Sequence, residues 1–435
     1  MTDRPLRVAH LADTHLGYSA LTRLNPASGH NQRAVDIERA FAAAIDDILD
    51  WHPDLVLHAG DAFHHSRPPM QTIIFFVQQL RRLEKAGIPA VVIGGNHDTP
   101  RLRTAGSVLD LCAIACPGVH FVHGYDWERV RFTLVGDKAV SVIALPHGAF
   151  TNDQPPAPPP PNGDANETEI LMIHGQYNLS DRKELRGAKD NVDSTLVDAA
   201  YAYVALGHWH TFDKMGGNAW YSGSTERIGL TDKDCIPGYA RVVLHPDGPE
   251  VTHVPLPARP LVKLPDIHAE GMEADEIVTR VGRALAMKDV VALRAEAMVV
   301  SRVYDTPVGV DREASRLLRA HEAVRDCWAF LPQITAVRAA GQIIAGASSI
   351  GPLGEEFDAF ITRREEEKVY TPTDATIFRA KGQTFLTEAL QTAEQRILPP
   401  ITDGMDGADG EGTSDTSDSS ESSDLLSGVA IGGAA

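Results

Sequence analysis

Residues 204–212 read VALGHWHTF. The apolar run before Gly207 is typical of a buried strand, and the glycine ends it. His208 and His210 follow, and both imidazoles can point to the same side because side chains of an extended chain alternate with period two. Two histidines presented together at a strand end suit a metal ion, although an ordinary loop could also hold them. The surrounding sequence decides between these alternatives.

Polar side chains follow four other apolar runs of the same kind. They are Asp13 and His15 after the first run, Asp61 and His64 after the second, Asn96, His97 and Asp98 after the third, and His174 after a later one. In an open α/β sheet, ligands bind at the carboxyl ends of the strands. We therefore expect these groups to converge with His208 and His210 on one edge of one domain.

The converging groups form a coherent set of metal ligands. Carboxylates, one amide oxygen and four or more imidazoles, without a thiolate, suit divalent ions such as manganese, iron or zinc. Each motif is weak alone, but GGNHD at 94–98 is more specific, since two glycines let the backbone approach closely beside Asn96. The order and spacing of all five motifs predict a two-metal site, which holds its ions ~3.5–4 Å apart and can displace a phosphoryl group in line.

The fold class follows from short apolar runs that alternate with helical stretches. The segments VDIERAFAAAIDDILDW (35–51) and TIIFFVQQLRRLEKAG (72–87) have helical spacing and lie between predicted strands. This alternation predicts a layered α/β domain over residues 1–255. A second, smaller α/β pattern covers 259–345, in which LVKLPDI at 261–267 is predicted as one strand. Two helices are predicted within 355–398, and the acidic composition of the tail at 401–435 predicts disorder.

The composition is that of a globular protein with an acidic surface. Apolar residues make up 43% of the 435 residues, and the formal net charge is −19, with 10 Lys among 40 basic residues. This charge argues against a nucleic-acid partner, because phosphate binding favours Lys and Arg. An acidic, Lys-poor surface is also expected in a salt-adapted host, where salt screens long-range charge effects. The net charge therefore does not exclude DNA.

Targeting signals and cysteine usage bear on the compartment. The sequence has no run of 18 apolar residues and no basic segment followed by an apolar stretch, so neither a membrane span nor a secretory signal is predicted. The four cysteines form no CxxC pair, and Cys112 and Cys116 have the spacing of buried helix residues. We expect a reduced, cytoplasmic setting.

The sequence resembles the calcineurin-like metallophosphoesterases, whose motifs run D-x-H, GD, GNH-D/E, H and GHxH in that order. The match covers residues 8–225. Within that superfamily it resembles the DNA double-strand break repair nucleases of the SbcD/Mre11 type, and with the acidic surface this favours an archaeal, salt-adapted source. The stretches that carry the resemblance are ADTHLG (12–17), GDAFHHSRPP (60–69), GGNHDTP (94–100), HGQYN (174–178), ALGHWH (205–210) and YSGSTERIG (221–229). One departure is Ala62, where leucine is more usual.

The resemblance implies an α/β/β/α sandwich that binds two manganese ions per chain. One ion is implied to be held by Asp13, His15 and His210, the other by Asn96, His174 and His208, with Asp61 as the bridge. His64, which phosphatases of the superfamily usually lack, is implied to donate a proton to the leaving 3′ oxygen. His97 is implied to stabilise charge on the transferring phosphoryl group.

The resemblance also implies partners. These are DNA ends, held in part by a capping domain at 259–345, and an ABC-type ATPase of the SbcC/Rad50 kind, bound by the helices at 355–398. These helices carry apolar stripes, which could instead pack on the capping domain: Phe357, Phe360, Ile361, Leu386, Ala389, Leu390, Ala393 and Ile397. A protein with these partners is expected in the cytoplasm, at the nucleoid.

A homodimer is the remaining expectation. The segment 72–83 carries five consecutive apolar residues, more than one buried helix face needs, and 105–116 has the same excess. The surplus would form an exposed apolar patch unless loops of the same chain cover it. The resemblance implies that two subunits pair through the corresponding helices. Phe76 is the residue whose replacement by Glu is expected to separate them.

Three functions remain open at this point. The first is a manganese-dependent nuclease, exonuclease or endonuclease, that processes DNA double-strand break ends. The second is a phosphatase or phosphodiesterase on small substrates, which His64, the 259–345 segment and the C-terminal helices disfavour. The third is a scaffold that recruits the ATPase and has little nuclease activity, which the complete set of predicted ligands disfavours.

Overall fold

The computed structural model describes residues 4–134, 137–164, 166–177, 191–192, 194–197, 200–229, 232, 234–337, 353–366 and 370–382. Residues up to 338 form one compact unit and the later residues another. The second unit includes α9 (Leu353–Glu366) and α10 (372–382), whereas 383–398 and the predicted disordered tail lie outside the described residues. The first unit contains, in chain order, β1 (Leu6–Leu11), α1 (Gln32–Trp51), β2 (Leu55–His58), α2 (Met70–Lys85), β3 (Ala90–Ile93), α3 (Val108–Ala115), β4 (Val119–Val122), β5 (Glu128–Leu134), β6 (Lys138–Leu145), β7 (Glu167–His174), β8 (Gln176–Tyr177), β9 (Asn191–Val192), α4 (Ser194–Val197), β10 (Tyr203–Gly207), β11 (Asp213–Gly216), β12 (Ala219–Tyr221), β13 (Gly238–His245), β14 (Gly248–Pro255), β15 (Leu261–Lys263), β16 (Ile267–His268), α5 (Ala274–Leu285), α6 (Lys288–Leu293), β17 (Met298–Thr306), α7 (Val310–Ala320), α8 (Glu322–Arg325) and β18 (Ala329–Ala336).

Two six-stranded sheets form the body of the first unit. The first has the order β14-β13-β1-β2-β3-β4 and the second the order β11-β12-β10-β7-β6-β5. Strands β1 to β4 run parallel, as do β6, β7, β10 and β12, whereas the strands at one or both edges are antiparallel. The carboxyl ends of parallel neighbours lie at the same edge of their sheet. This topology confirms the predicted α/β fold class.

The alternation of side chains along each strand builds the layers. Val8 and Leu57 point between the two sheets, and Ala9 and Val56 point to the opposite face, where α1, α2 and α3 pack. In the second sheet, Met172 faces the inter-sheet core and Ile173 the outer side. These strands are apolar on both faces because both faces are covered. Each fully buried Ile, Leu or Val contributes roughly 1.5–3 kcal/mol of transfer free energy.

A second lobe, residues 261–336, has a core of its own. The parallel sheet is centred on β17, with β15 and β16 on one side and β18 on the other. Helices α5 and α7 cover it through Ile277, Val281 and Leu318, which are buried. The predicted single strand LVKLPDI forms two short strands, β15 and β16, which flank Pro265. Proline has no N–H to contribute to the ladder, which explains the interruption.

A buried ion-pair network joins this lobe to the two-sheet body. Asp36 of α1 accepts two hydrogen bonds from Arg259, at 2.5 and 2.6 Å, and one from Arg33 at 2.8 Å. The guanidinium of Arg259 also lies over the ring of Trp328, 3.8 Å from its centroid. Glu226 accepts from the backbone N–H of Arg259 and lies 3.5 Å from Arg33. The joint therefore satisfies charges that α1 and the lobe would otherwise bury unpaired.

Helix α2 corrects one expectation from the sequence. Phe76 is fully buried and packs on Phe41 and Phe63, so placing it at a dimer surface is wrong. The exposed large apolar residues are Met70 and Ile74 in α2 and Leu111 and Ile114 in α3. Phe76 takes the face that points at the sheet because the helix must bury its largest side chains there. Among the described helices, none is long and apolar enough to cross a membrane.

Candidate metal centre

The nine residues singled out as ligands or catalytic groups lie together at the carboxyl edge of the strands. Asp13 and His15 follow β1, Asp61 and His64 follow β2, Asn96 and His97 follow β3, His174 ends β7, and His208 and His210 follow β10. The two facing sheets each contribute, so residues nearly 200 positions apart meet. The expected convergence on one edge of one domain is therefore observed.

Short distances divide the candidate ligands into two groups that share Asp61. In one group, Nε2 of His15 lies 3.2 Å from Nε2 of His210, and Asp13 lies within reach of both. In the other, Oδ1 of Asn96 lies 3.0 Å from Nε2 of His174 and 3.1 Å from Nδ1 of His208. Oδ2 of Asp61 is 3.6 Å from Nε2 of His15 and 3.5 Å from Nε2 of His174.

These distances fit divalent metal ions. Ligand atoms bound at ~2.0–2.2 Å to one ion lie about 3–3.6 Å from each other when the angle between them is near that of a tetrahedron or octahedron. His15 and His210 face each other through ring nitrogens, and a cation between them satisfies both lone pairs. The donor set contains nitrogen and oxygen but no sulfur, which suits manganese, iron or zinc and not a soft ion.

The backbone is unusual where the ligands attach. Asp13, His15, Asp61 and His208 have φ angles of 52°, 48°, 53° and 104°, in the left-handed region that non-glycine residues seldom occupy. Such conformations cost about 1–3 kcal/mol each and cluster at functional sites. At Gly95 a Cβ atom would lie 2.1 Å from Oδ1 of Asp61, so only glycine fits there. The strained backbone at these residues lowers the stability of the fold but orients the side chains toward the cluster.

Hydrogen bonds orient the imidazoles. Nδ1 of His174 donates to the backbone carbonyl of Ala59 at 2.8 Å, and Nδ1 of His210 lies 2.8 Å from Oδ2 of Asp232. Each ring therefore turns its Nε2 toward the cluster. A second partner of this kind fixes both the tautomer and the orientation of a histidine ligand.

Asp61 is held in its negatively charged form within the cluster. Burial disfavours its carboxylate, but His174, through its charge and a hydrogen bond, outweighs burial and holds the pKa of Asp61 well below the usual range. Burial likewise opposes the charged form of His174, yet Asp61 raises the pKa of His174 to about 9. Positive charge is therefore favoured beside Asp61, which is where a cation would lie.

His64 and His97 lie beside the two ligand groups. Nδ1 of His64 is 3.3 Å from Nδ1 of His15, and its ring stacks on that of His97 with centroids 5.0 Å apart. Nδ1 of His97 donates to the carbonyl of His64 at 2.7 Å. Burial and then repulsion from His97 lower the pKa of His64 to about 4. A neighbouring phosphate would favour the protonated ring, because an anion stabilises imidazolium.

Two contributing residues, Tyr18 and Asp232, were not predicted as part of the site, and Asp98 was expected at this edge but was given no role. Asp98 is buried and accepts from the backbone N–H groups of Ala62, Phe63 and Gly95, so it ties two ligand loops together. The ring of Tyr18 packs on His64, with centroids 4.9 Å apart. Asp232 bonds His210 across 22 residues. The sequence offered a signal only for Asp98, which stands inside GGNHD.

Comparison with known proteins agrees with this geometry. The calcineurin-like phosphoesterase model matches residues 6–212. Residues 6–212 are therefore similar to the calcineurin-like phosphoesterases. The matched range includes β1 to β4, the GHWH turn after β10 and all nine candidate residues.

Three archaeal proteins named DNA double-strand break repair protein Mre11 are similar to the chain. That of Haloferax volcanii is 29% identical over 330 residues, 70% of this chain and 64% of the relative. That of Methanosarcina mazei is 29% identical over 267 residues, 59% and 39%. That of Sulfurisphaera tokodaii is 35% identical over 213 residues, 47% and 49%. The chain thus spans between 39% and 64% of these relatives' lengths. The resemblance drawn from the motifs is confirmed.

Proposed function

We propose that the protein is a manganese-dependent nuclease that processes DNA double-strand break ends. The observation that carries this proposal is Asp61, whose Oδ2 atom lies almost equally far from a histidine of each ligand group. A carboxylate in that position can bridge two ions, and paired ions are suited to phosphodiester hydrolysis. The similarity to archaeal Mre11 proteins supports DNA ends as the substrate.

The assignment of ligands follows the two groups. Asp13, His15 and His210 would hold one ion, Asn96, His174 and His208 would hold the other, and Asp61 would contact both. Manganese accepts oxygen and imidazole ligands without a thiolate, in keeping with this donor set. When bound, two such ions neutralise the scissile phosphate and make a nearby water more acidic.

Two histidines beside the proposed ions, His64 and His97, would act on the substrate: one donates a proton and the other stabilises charge. If Nε2 of His15 is a ligand, the proton of that ring is on Nδ1 and is donated to Nδ1 of His64, 3.3 Å away. The neutral His64 ring then carries its proton on Nε2, and it acts as a general acid only after the ring takes up a second proton, so that giving the Nε2 proton to a leaving 3′ oxygen leaves a neutral imidazole. His97 is fixed through its Nδ1, so its Nε2 remains to stabilise charge on the phosphoryl group.

The partners belong to the same proposal. The lobe at 261–336 helps hold DNA, and the helices within 355–398 bind an ATPase of the SbcC/Rad50 type. Within the second unit, Ile361 of α9 is buried but Phe360 is 43% exposed, so α9 keeps an apolar residue for a partner. The exposed apolar residues of α2 and α3 support a homodimer. Such a nuclease works in the cytoplasm, at the nucleoid.

One assay separates this function from its alternatives. Purified protein is incubated with manganese and either end-labelled duplex DNA or a chromogenic phosphodiester, with and without the ATPase. We expect cleavage of DNA, lost on chelation and restored by manganese. Turnover of only the small phosphodiester would indicate a phosphodiesterase. No turnover of either substrate, with the ATPase still bound, would indicate a scaffold.

A further inference from the structure

Asp232 lies outside the matched phosphoesterase range, yet it contacts a proposed metal ligand. Its Oδ2 atom is 2.8 Å from Nδ1 of His210, and its side chain is 7% exposed. Nε2 of the same imidazole faces His15 at 3.2 Å. Nδ1 of His210 therefore contacts the Asp232 carboxylate, and Nε2 of His210 faces the cluster of candidate ligands.

The same oxygen of Asp232 is held by the backbone. The N–H of Ile228 donates to Oδ2 at 2.8 Å and that of Gly229 at 3.4 Å. A carboxylate that accepts several backbone N–H groups is fixed in position and stays ionised. The Asp232 carboxylate that contacts His210 is thus also held by the backbone of Ile228 and Gly229.

The residues just before Ile228 belong to the ion-pair network that joins the two-sheet body to the second lobe. Glu226, two residues before Ile228, is fully buried and accepts from the backbone N–H of Arg259 at 2.9 Å. Arg227 donates to the carbonyl of Arg259 at 3.1 Å. Residues 226–229 and Asp232 therefore connect His210, through the contacts above, to Arg259, which anchors the lobe.

We propose that Asp232 is a positioning residue, which holds His210 in the tautomer and orientation that present Nε2 to one ion of the site. This inference rests on the proposed function, because it takes His210 as a metal ligand. Nδ1–H given to a carboxylate leaves the lone pair on Nε2 and makes the ring more basic toward a metal. The effect is confined to the ion bound by Asp13, His15 and His210.

The test is calorimetric titration of the metal-free full chain with manganese. Asp232→Ala is expected to weaken one of two binding steps by about 10–100-fold and leave the other unchanged, the usual cost of losing such a partner. Asp232→Asn, whose amide oxygen can still accept from His210, should fall between Asp232→Ala and the wild type. Asp234→Ala is the matched control, since Asp234 is an exposed acid two residues away that pairs with Lys263.

Nuclease activity of Asp232→Ala should be restored by raising the manganese concentration, with the maximum rate near that of the wild type. A disturbed fold would not recover in this way, and thermal unfolding of the metal-free variants reports on folding separately. Equal affinities for both ions in Asp232→Ala and wild type would overturn the role of Asp232, and so would a parallel loss at both steps. A wild type that binds no manganese would instead overturn the proposed function.

Discussion

Nδ1 of His64 lies 3.3 Å from Nδ1 of His15, so the proposed proton donor is in direct contact with a proposed metal ligand. The proposed function takes His64 as an acid beside the ligands and not as a ligand itself. His64→Ser should therefore leave manganese binding intact while the rate of DNA cleavage falls by roughly 10²–10⁴, the usual contribution of general acid catalysis. Single-turnover cleavage of labelled duplex DNA measures the rate, and calorimetry measures the metal.

His65→Ser is the control for that variant, because His65 is the next residue in the chain and is exposed. It should cleave DNA at close to the wild-type rate. A fully active His64→Ser enzyme would remove the proton-donor role and favour the small-substrate phosphodiesterase.

Asp61 should behave differently from His64. Asp61→Ala removes the oxygen that lies 3.6 Å from His15 and 3.5 Å from His174, and is expected to abolish tight binding of both ions together with cleavage. Asp61→Asn, which keeps the shape but loses the charge, tests the same point with less disturbance to the hydrogen bond from the N–H of His97. Two ions still bound with wild-type affinity in both variants would show that Asp61 is not the bridge.

The dimer prediction now concerns the outer face of α2 and α3. Ile114 is 81% exposed, so Ile114→Glu should turn a dimer into a folded monomer, as measured by light scattering at high salt. Val308→Glu, at an apolar position of the second lobe that is 67% exposed, should leave the dimer intact. Phe76→Glu should unfold the domain, because Phe76 is buried. A wild type that is monomeric at micromolar concentration would rule the dimer out.

The ion-pair network around Asp36 leads to a prediction about the stability of the fold. Asp36→Ala leaves the guanidinium groups of Arg33 and Arg259 buried without their shared carboxylate, and should lower the free energy of unfolding by about 3–5 kcal/mol. Asp46→Ala removes the partner of Arg82 in an exposed pair and should cost at most about 1 kcal/mol. Denaturant titrations of the metal-free proteins compare the two. Equal small losses would mean that the network does not hold the lobe.

The sequence predicted that these side chains cluster because each candidate ligand follows or ends an apolar strand. That rule places Asp13, Asp61 and Asn96 at one edge without any knowledge of distances. It could not reveal Asp232, which follows no strand and reaches His210 only through the path of the chain after β12. Nor could it say which face of α2 points inward, since Ile74 and Phe76 are both apolar and only the packing on Phe41 and Phe63 separates them.

The strands of the second lobe show a similar limit. β18 was not predicted, because its sequence carries Pro332 and alternates weakly, yet it pairs along most of its length with β17. Proline is tolerated there since β18 is an edge strand and needs to donate on one side only. Local patterns thus describe central strands better than edge strands, whose pairing is decided by the neighbour.

The most direct test of the account is anomalous diffraction at the manganese absorption edge from crystals of the full chain soaked with manganese. Two anomalous peaks are predicted, about 3.5–4 Å apart. One should lie among Asp13, His15 and His210, the other among Asn96, His174 and His208, with Asp61 contacting both. Peaks elsewhere, or a single ion that Asp61 does not contact at a saturating manganese concentration, would contradict the two-metal site on which the proposed nuclease depends.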